Sequence, residues 1–337
     1  MSSFAYTEPV RLAQIGTGYW GEALLRNAAS LPGAEMVAVC DPNGDALDAA
    51  GRQVPRARLT QDEASVLADP SVEAVIVASA PRAERAEAAL DAGKHVLVWR
   101  TLAPTSGEAA QVIARAEAGG RQVMVGHVLR YHPAYRRVEA LAREGALGAI
   151  RYVSSVRAGL GPVGFDALNR LAPHDLAFAL AIVPSVPVTV SATAAAFRDG
   201  PWDIVSMTVT FAGGETAHLR VSRIEPQKIR RTTVVGTEAT ASVDDLNGTE
   251  PVRVHTRDTA DAEAHVPYAD ALRVRTGDVW MPLVDRREPL RRMIREFVAC
   301  VREDRAPRTG GADGLAVVRV LEAALQSVEA GGTPVAV

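Results

Sequence analysis

Six residues constrain this chain more than any others. Gly16-Thr17-Gly18-Tyr19-Trp20-Gly21 follows directly on the apolar run Val10–Ile15 and opens a stretch patterned as a helix over Glu22–Leu31. Each spaced glycine has its own use: Gly16 permits a tight turn, Gly18 lets a ligand approach bare backbone, and Gly21 lets helix and strand pack closely. The amides that begin such a helix, with its dipole, attract phosphate. Asp41 comes 20 residues after Gly21, at the end of a second apolar run, Met36–Cys40. A carboxylate there accepts from both ribose hydroxyls and repels a 2′-phosphate. The spacing predicts a dinucleotide site made by Gly16, Gly18, Tyr19, Trp20, Gly21 and Asp41, with NAD(H) favoured over NADP(H).

The surrounding pattern agrees with that site. Strand-like runs at Ala74–Ala78, His95–Val98 and Gln122–Val125 alternate with helical stretches at Arg82–Ala92 and Ser106–Ala118. Short apolar strands separated by helices imply a parallel sheet covered on both faces. Beyond about residue 128 the grammar changes. A short helix around Tyr135–Arg143 precedes strand-like runs at Ile150–Val156, Val186–Ala192, Ile204–Phe211, Thr216–Arg223 and Thr232–Val235, with Gly213-Gly214 as one of the turns. That succession predicts an antiparallel sheet. Two helices close the chain. In the first, Leu290, Met293, Ile294, Phe297, Val298 and Val301 share one face; the second runs from about Leu315 to Glu329 with Asp313 as its N-cap. The expected fold class is α/β, with a dinucleotide-binding domain over 1–128 and an α+β domain with a large open antiparallel sheet over 129–337.

Composition narrows the partners. At 337 residues the chain has room for two cores. A net charge of -3 gives no reason to expect nucleic acid or an anionic membrane. Cys40 and Cys300 lie far apart and make neither a disulfide framework nor a zinc spacing, so no metal is expected. The uncharged run Leu176–Phe197 is long enough to span a bilayer, but Pro184 and Pro187 break it and it reads as helix, turn and strand. With no leader pattern at the N-terminus, a cytoplasmic protein is expected. Lys94 and Lys228 are the only lysines among 37 basic residues.

These residues, with Ala92-Gly93-Lys94-His95-Val96, Gly126-His127, Tyr131-His132-Pro133, Leu171-Ala172-Pro173-His174-Asp175 and Glu225-Pro226-Gln227-Lys228, resemble the Gfo/Idh/MocA family of oxidoreductases over essentially the full length. The likeness is greatest to the branch acting on nucleotide-linked sugars. It implies a Rossmann domain and an α/β domain whose open sheet makes a homodimer or homotetramer, with a sugar or nucleotide-sugar held against the nicotinamide. It places Ser79 and Pro81 among the cofactor contacts. It implies Arg130, Tyr131, Arg170 and Lys228 as substrate contacts, with His132 near them.

The chain departs from the family where the proton should move. Glu-Lys-Pro usually follows the strand that ends here at Val98, and this chain has Trp99-Arg100-Thr101. Arg100 can polarise a carbonyl or clamp an anion, but a pKa above about 12 excludes it as a proton shuttle. An aspartate often stands four residues before the histidine matching His174; here it is Arg170, a cation that would disfavour protonation of His174 if it faced inward. His174 and Arg100 are the expected catalytic pair, as general acid or base and as electrophile. An NAD-dependent sugar oxidoreductase is the leading reading. A non-redox cyclase, lyase or epimerase using the same cleft, and a silent NAD-binding partner subunit, are the alternatives.

Overall fold

Runs of four to seven residues with almost no polar member become buried strands with helices on both sides. β1 (Val10–Ile15), β2 (Ala34–Cys40), β3 (Arg58–Thr60), β4 (Ala74–Val77), β5 (His95–Val98) and β6 (Val123–Val125) form one parallel sheet in the order β3-β2-β1-β4-β5-β6. Every residue of β4 and of β5 is buried, as a strand covered on both faces requires. The helices between them are α1 (Tyr19–Ala29), α2 (Gly44–Gln53), α3 (Glu63–Leu67), α4 (Arg82–Asp91) and α5 (Ser106–Gly119). Strand order reverses between β1 and β4, which opens a crevice at their carboxyl ends. Both the glycine loop and the Ser79 turn lie at those ends.

The computed structural model describes residues 8–162, 164, 166–197, 200–257 and 276–337. The chain divides into two units. One holds the described residues up to Tyr131 with Arg287–Arg319, the other those from His132 to Arg286 with Val320–Val337.

In the second unit, α6 (Pro133–Arg143) leads to β7 (Ile150–Ala158), α7 (Ala167–Ile182) and β8 (Pro187–Ala195). Then come β9 (Ile204–Phe211), β10 (Thr216–Ser222), β11 (Ile229–Gly236), β12 (Ala239–Asp244), β13 (Val252–Arg257), β14 (Thr276–Trp280) and, at the end of the chain, β15 (Val335–Ala336). They make one nine-stranded sheet, β14-β13-β12-β11-β7-β10-β9-β8-β15. An antiparallel sheet was expected, and one ladder corrects it: β10 runs parallel to β7, Thr216–Ser222 beside Tyr152–Ala158. The cause is α7, a crossover that returns β8 in the direction of β7. The meander β8-β9-β10 then delivers β10 in that direction too. β9, β10 and β12 alternate buried and more exposed positions, so the sheet covers one face and leaves the other open.

The run Leu176–Phe197 is the end of α7, a turn and β8, and no helix among the described residues is long and apolar enough to cross a membrane. α8 (Pro289–Glu303) and α9 (Gly311–Glu329) close the fold. α8, which the sequence groups with the second domain, buries Leu290, Met293, Ile294, Phe297 and Val298 in the first unit's core beside Leu12, Leu24 and Leu25. Asp313 is not the N-cap of α9. The helix begins at Gly311, and the Asp313 carboxylate reaches back one turn to accept from the Gly310 amide at 3.0 Å.

Candidate functional site

The glycine loop is held by side chains on both sides. Gly16 has φ +97°, and a Cβ there would meet Ser79 Oγ at 2.3 Å. At Gly21 a Cβ would meet the Gly16 carbonyl oxygen at 2.3 Å, so helix and strand approach as closely as the motif predicts. Gln14, fully buried in β1, donates from Nε2 to the carbonyls of Gly16 and Gly21, each at 2.8 Å. No motif pointed to Gln14, because a glutamine inside a strand looks like any interrupted apolar run. Gly18, by contrast, faces open space within 4 Å, and α1 starts after it with no side chain as cap. An uncovered glycine before uncapped helix amides is a cradle a phosphate fits.

Asp41 joins the two halves of the site. Its Oδ2 accepts from the Thr17 amide at 2.6 Å and the Thr17 hydroxyl at 2.9 Å, and its Oδ1 accepts from the Asn43 amide at 2.9 Å. Burial alone would raise its pKa; the Asn43 and Thr17 hydrogen bonds and the Arg85 charge turn the shift downward, so it stays an anion. Arg85 also donates from Nη1 to Ser79 Oγ at 2.8 Å and pairs with Glu63 at 2.8 Å. Ser79 therefore abuts Gly16, and Pro81 is the N-cap of α4. Tyr19 is 85% exposed at the mouth of the loop.

Trp99-Arg100 sits at the carboxyl end of β5. Trp99 is buried, with its ring 5.1 Å from that of Trp20. Gly126 makes room for it, since a Cβ there would lie 2.7 Å from the Trp99 ring. Arg100 is 6% exposed, carries φ +81°, and places its guanidinium 5.9 Å from the Trp20 ring centre. A non-glycine residue at such a φ is strained, and strain of this kind gathers at functional positions. The cation is thus buried against the cofactor loop itself. Sequence reasoning missed the Trp20–Trp99 stack that seats it.

Tyr131 is a core residue, 1% exposed, with its hydroxyl 2.9 Å from Thr309 Oγ1. Its hydroxyl already has a partner within the first unit. Arg130 is half-buried and pairs with Asp313 at 3.4 Å. His127 is buried with no hydrogen-bond partner at either ring nitrogen, and burial, aided by Arg130, pushes its pKa down to about 3.

In the second unit His174 is 8% exposed and lies in the middle of α7, not at a helix start. Arg170, one turn earlier, is exposed, so it faces solvent rather than inward. The acid that matters structurally is Asp175. Arg157 donates to it from Nε at 2.6 Å and Nη2 at 3.1 Å, and Ser155 Oγ donates at 2.8 Å, all buried. This bidentate pair pins α7 to β7 beside His174. His132 caps α6, its Nδ1 accepting from the Ala134 amide at 3.2 Å, which obliges Nε2 to carry the proton that faces Asp245 at 3.2 Å. Lys228 is exposed just before β11.

The open face of the sheet carries a groove of about 420 Å³ lined by Ser154, Ser191, Thr208, His218 and Arg220, which contains none of the predicted site residues. Among the described residues no three His, Cys, Asp or Glu side chains gather as a metal site needs.

Comparison with known proteins places both halves of the chain. A model of the NAD-binding Rossmann fold of the Gfo/Idh/MocA oxidoreductases matches residues 10–127, and one of that family's C-terminal α/β domain matches residues 163–337. UDP-N-acetylglucosamine 3-dehydrogenase of Acidithiobacillus ferrooxidans is 27% identical, covering 94% of this chain and 96% of its own length. D-apiose dehydrogenase of Paraburkholderia graminis is 25% identical over 95% of this chain and 88% of its own. A solved chain from Magnetospirillum magnetotacticum, 34% identical, superimposes with a TM-score of 0.80 over 94% of this chain and 99% of its own.

Proposed function

This chain belongs to the Gfo/Idh/MocA family of oxidoreductases, and from that premise we propose that it oxidises a sugar hydroxyl, or reduces the corresponding ketone, on a nucleotide-linked sugar. The cofactor is NAD(H). The observation that carries the reading is the Thr17–Asp41 lock: a carboxylate kept ionised directly after β2 and bonded to the glycine loop, beside an uncovered Gly18. Asp41 would receive the ribose hydroxyls, and the amides that start α1 would receive the pyrophosphate. When bound, the nicotinamide supplies a hydride acceptor or donor.

The rest falls to the chain. Arg100 supplies fixed positive charge to the reacting oxygen, stabilising it as an alkoxide without exchanging a proton. His174 takes or returns the hydroxyl proton. The Arg157–Asp175 pair keeps His174 in place by fixing the helix it stands on. The enzyme works as a homodimer or homotetramer through the open face of its large sheet, a mass that light scattering would read.

The test is a screen of sugars and nucleotide-sugars, followed by nicotinamide absorbance with NAD+ and with NADH. At least one substrate should turn over. His174→Asn should then lower kcat about 10²- to 10⁴-fold while NADH binding, read by fluorescence, stays as in wild type. Tight NADH binding without turnover of any member of the screen would overturn the proposal.

A further inference from the structure

The contacts around Asp41 close into a ring that takes in Glu63 and Arg85, to which no motif pointed. The Asp41 amide donates to the carbonyl of Thr60, the last residue of β3, at 3.2 Å. Glu63 follows at the start of α3, and its Oε2 accepts from Arg85 Nε at 2.8 Å. Arg85, in α4, donates from Nη1 to Ser79 Oγ at 2.8 Å and to the Ala80 carbonyl. Ser79 abuts Gly16 and donates to the Ile15 carbonyl at 3.4 Å. Thr17, next along the loop, returns to Asp41 through its amide and its hydroxyl. The carboxyl ends of β1, β2, β3 and β4 are thereby joined, all within the first unit.

Arg85 is out of place in a site for NAD(H). Asp41 repels a 2′-phosphate, but a guanidinium near the ribose is the group that accommodates one where NADP(H) binds. Here the fold brings that guanidinium from α4. Against burial, which raises the Asp41 pKa, the Arg85 charge joins the Asn43 and Thr17 hydrogen bonds in lowering it, so the cation is felt at the carboxylate. Left to itself it would offset the repulsion that Asp41 exerts on a phosphate. Glu63 prevents that. Its carboxylate takes Arg85 Nε, while Ser79 and the Ala80 carbonyl take Nη1. Both side chains are half-buried, so water and salt screen the pair less than a surface pair. With Asp41 and Glu63 against one guanidinium, the ring is negative in sum.

We propose that Glu63 is a cofactor-specificity residue: by holding Arg85 it withholds from a 2′-phosphate the cation that would receive it, and so adds to the discrimination made by Asp41. The inference rests on the NAD(H) site of the proposed function and extends its selectivity from one carboxylate to a charge pair. Arg85 is thus a latent phosphate clamp, disarmed by its neighbour and employed in seating the Ser79 turn against Gly16.

The experiment is equilibrium binding of NADH and of NADPH to the full chain, read by fluorescence with no substrate present. Wild type should prefer NADH. Glu63→Gln keeps an acceptor for Arg85 Nε but removes the charge, and it should narrow that preference about tenfold, mainly by tightening NADPH. Glu63→Asp, which keeps the charge, should keep most of the preference. Adding Arg85→Gln to Glu63→Gln should cancel the gain in NADPH affinity, whereas adding Arg85→Lys should retain part of it. If Glu63→Gln leaves the preference as it was, or weakens both dinucleotides alike, the pair is structural only and the inference falls. If the Glu63→Gln, Arg85→Gln double variant still binds NADPH as tightly as Glu63→Gln alone, the cation is not Arg85 and the inference falls too. A wild type that binds NADPH as well as NADH overturns it outright. Because no turnover is needed, a protein that shows these shifts but oxidises no sugar would lose the proposed reaction and keep this inference; one that binds neither dinucleotide would lose both.

Discussion

In the reaction proposed for this chain, Arg100 is the residue whose charge the chemistry depends on. A guanidinium buried against Trp20 on a backbone with φ +81° is held in place and permanently charged. Its contribution is electrostatic, so charge should matter more than proton exchange. Arg100→Gln should cost about 10²- to 10³-fold in kcat. Arg100→Lys should keep most of the rate and add an alkaline limb to the pH profile, because a lysine can lose its proton. The reverse ranking of the two variants would remove Arg100 from its role. The substitution itself is plain in the sequence. Its seat is not: Trp20, Trp99 and Gly126 are far apart along the chain, and only folding brings the loop, the end of β5 and the end of β6 together. Gln14 escaped notice, and Asp175 stood in a motif without its role, for a similar reason, since nothing local distinguishes a polar residue that will find buried partners. Asp41 was legible because the strand length and loop that place it are themselves written in sequence spacing.

At the scale of elements, the parallel half of the fold was nearly all readable, since β4 and β5 are apolar throughout and their helices have clear faces. α2, α3 and β3 were not, being short and polar enough to pass for loop. The parallel β7–β10 ladder was invisible because pairing direction depends on connections, and a strand's pattern is the same either way. One junction in this region makes the molecule acid-sensitive. Asp245, just after β12, is 3.2 Å from His132 at the start of α6 and 3.4 Å from Arg230. Burial pushes its pKa up, but the His132 hydrogen bond and the Arg157 and Arg230 charges outweigh this and bring it to about 2. An aspartate lowered in the folded state stabilises fully above its unfolded pKa near 3.8 and loses that contribution as pH falls through about 2. The amount is about 2 kcal/mol. Between pH 5 and pH 2, urea midpoints of wild type should therefore fall further than those of Asp245→Asn; parallel declines would show that the pair carries no linkage.

Over the whole molecule, the Rossmann unit cannot be made by one cut. Its core includes Leu290, Met293, Ile294, Phe297 and Val298 of α8, far beyond the last strand of its sheet. Burying five such side chains contributes on the order of 10 kcal/mol, comparable with the net stability of a domain. A fragment of residues 1–128 should be poorly soluble and bind a hydrophobic dye, whereas the same fragment joined by a flexible linker to residues 287–319 should fold and bind NADH. A well-folded, NADH-binding 1–128 fragment would refute the dependence. The same feature sets a schedule for the nascent chain. At about 5–20 residues per second on the ribosome, the first half waits on the order of ten seconds or more after Tyr131 emerges before α8 follows. Through that interval the apolar side of β1 and α1 has no cover, and whatever shelters it must be a chaperone or the growing chain itself.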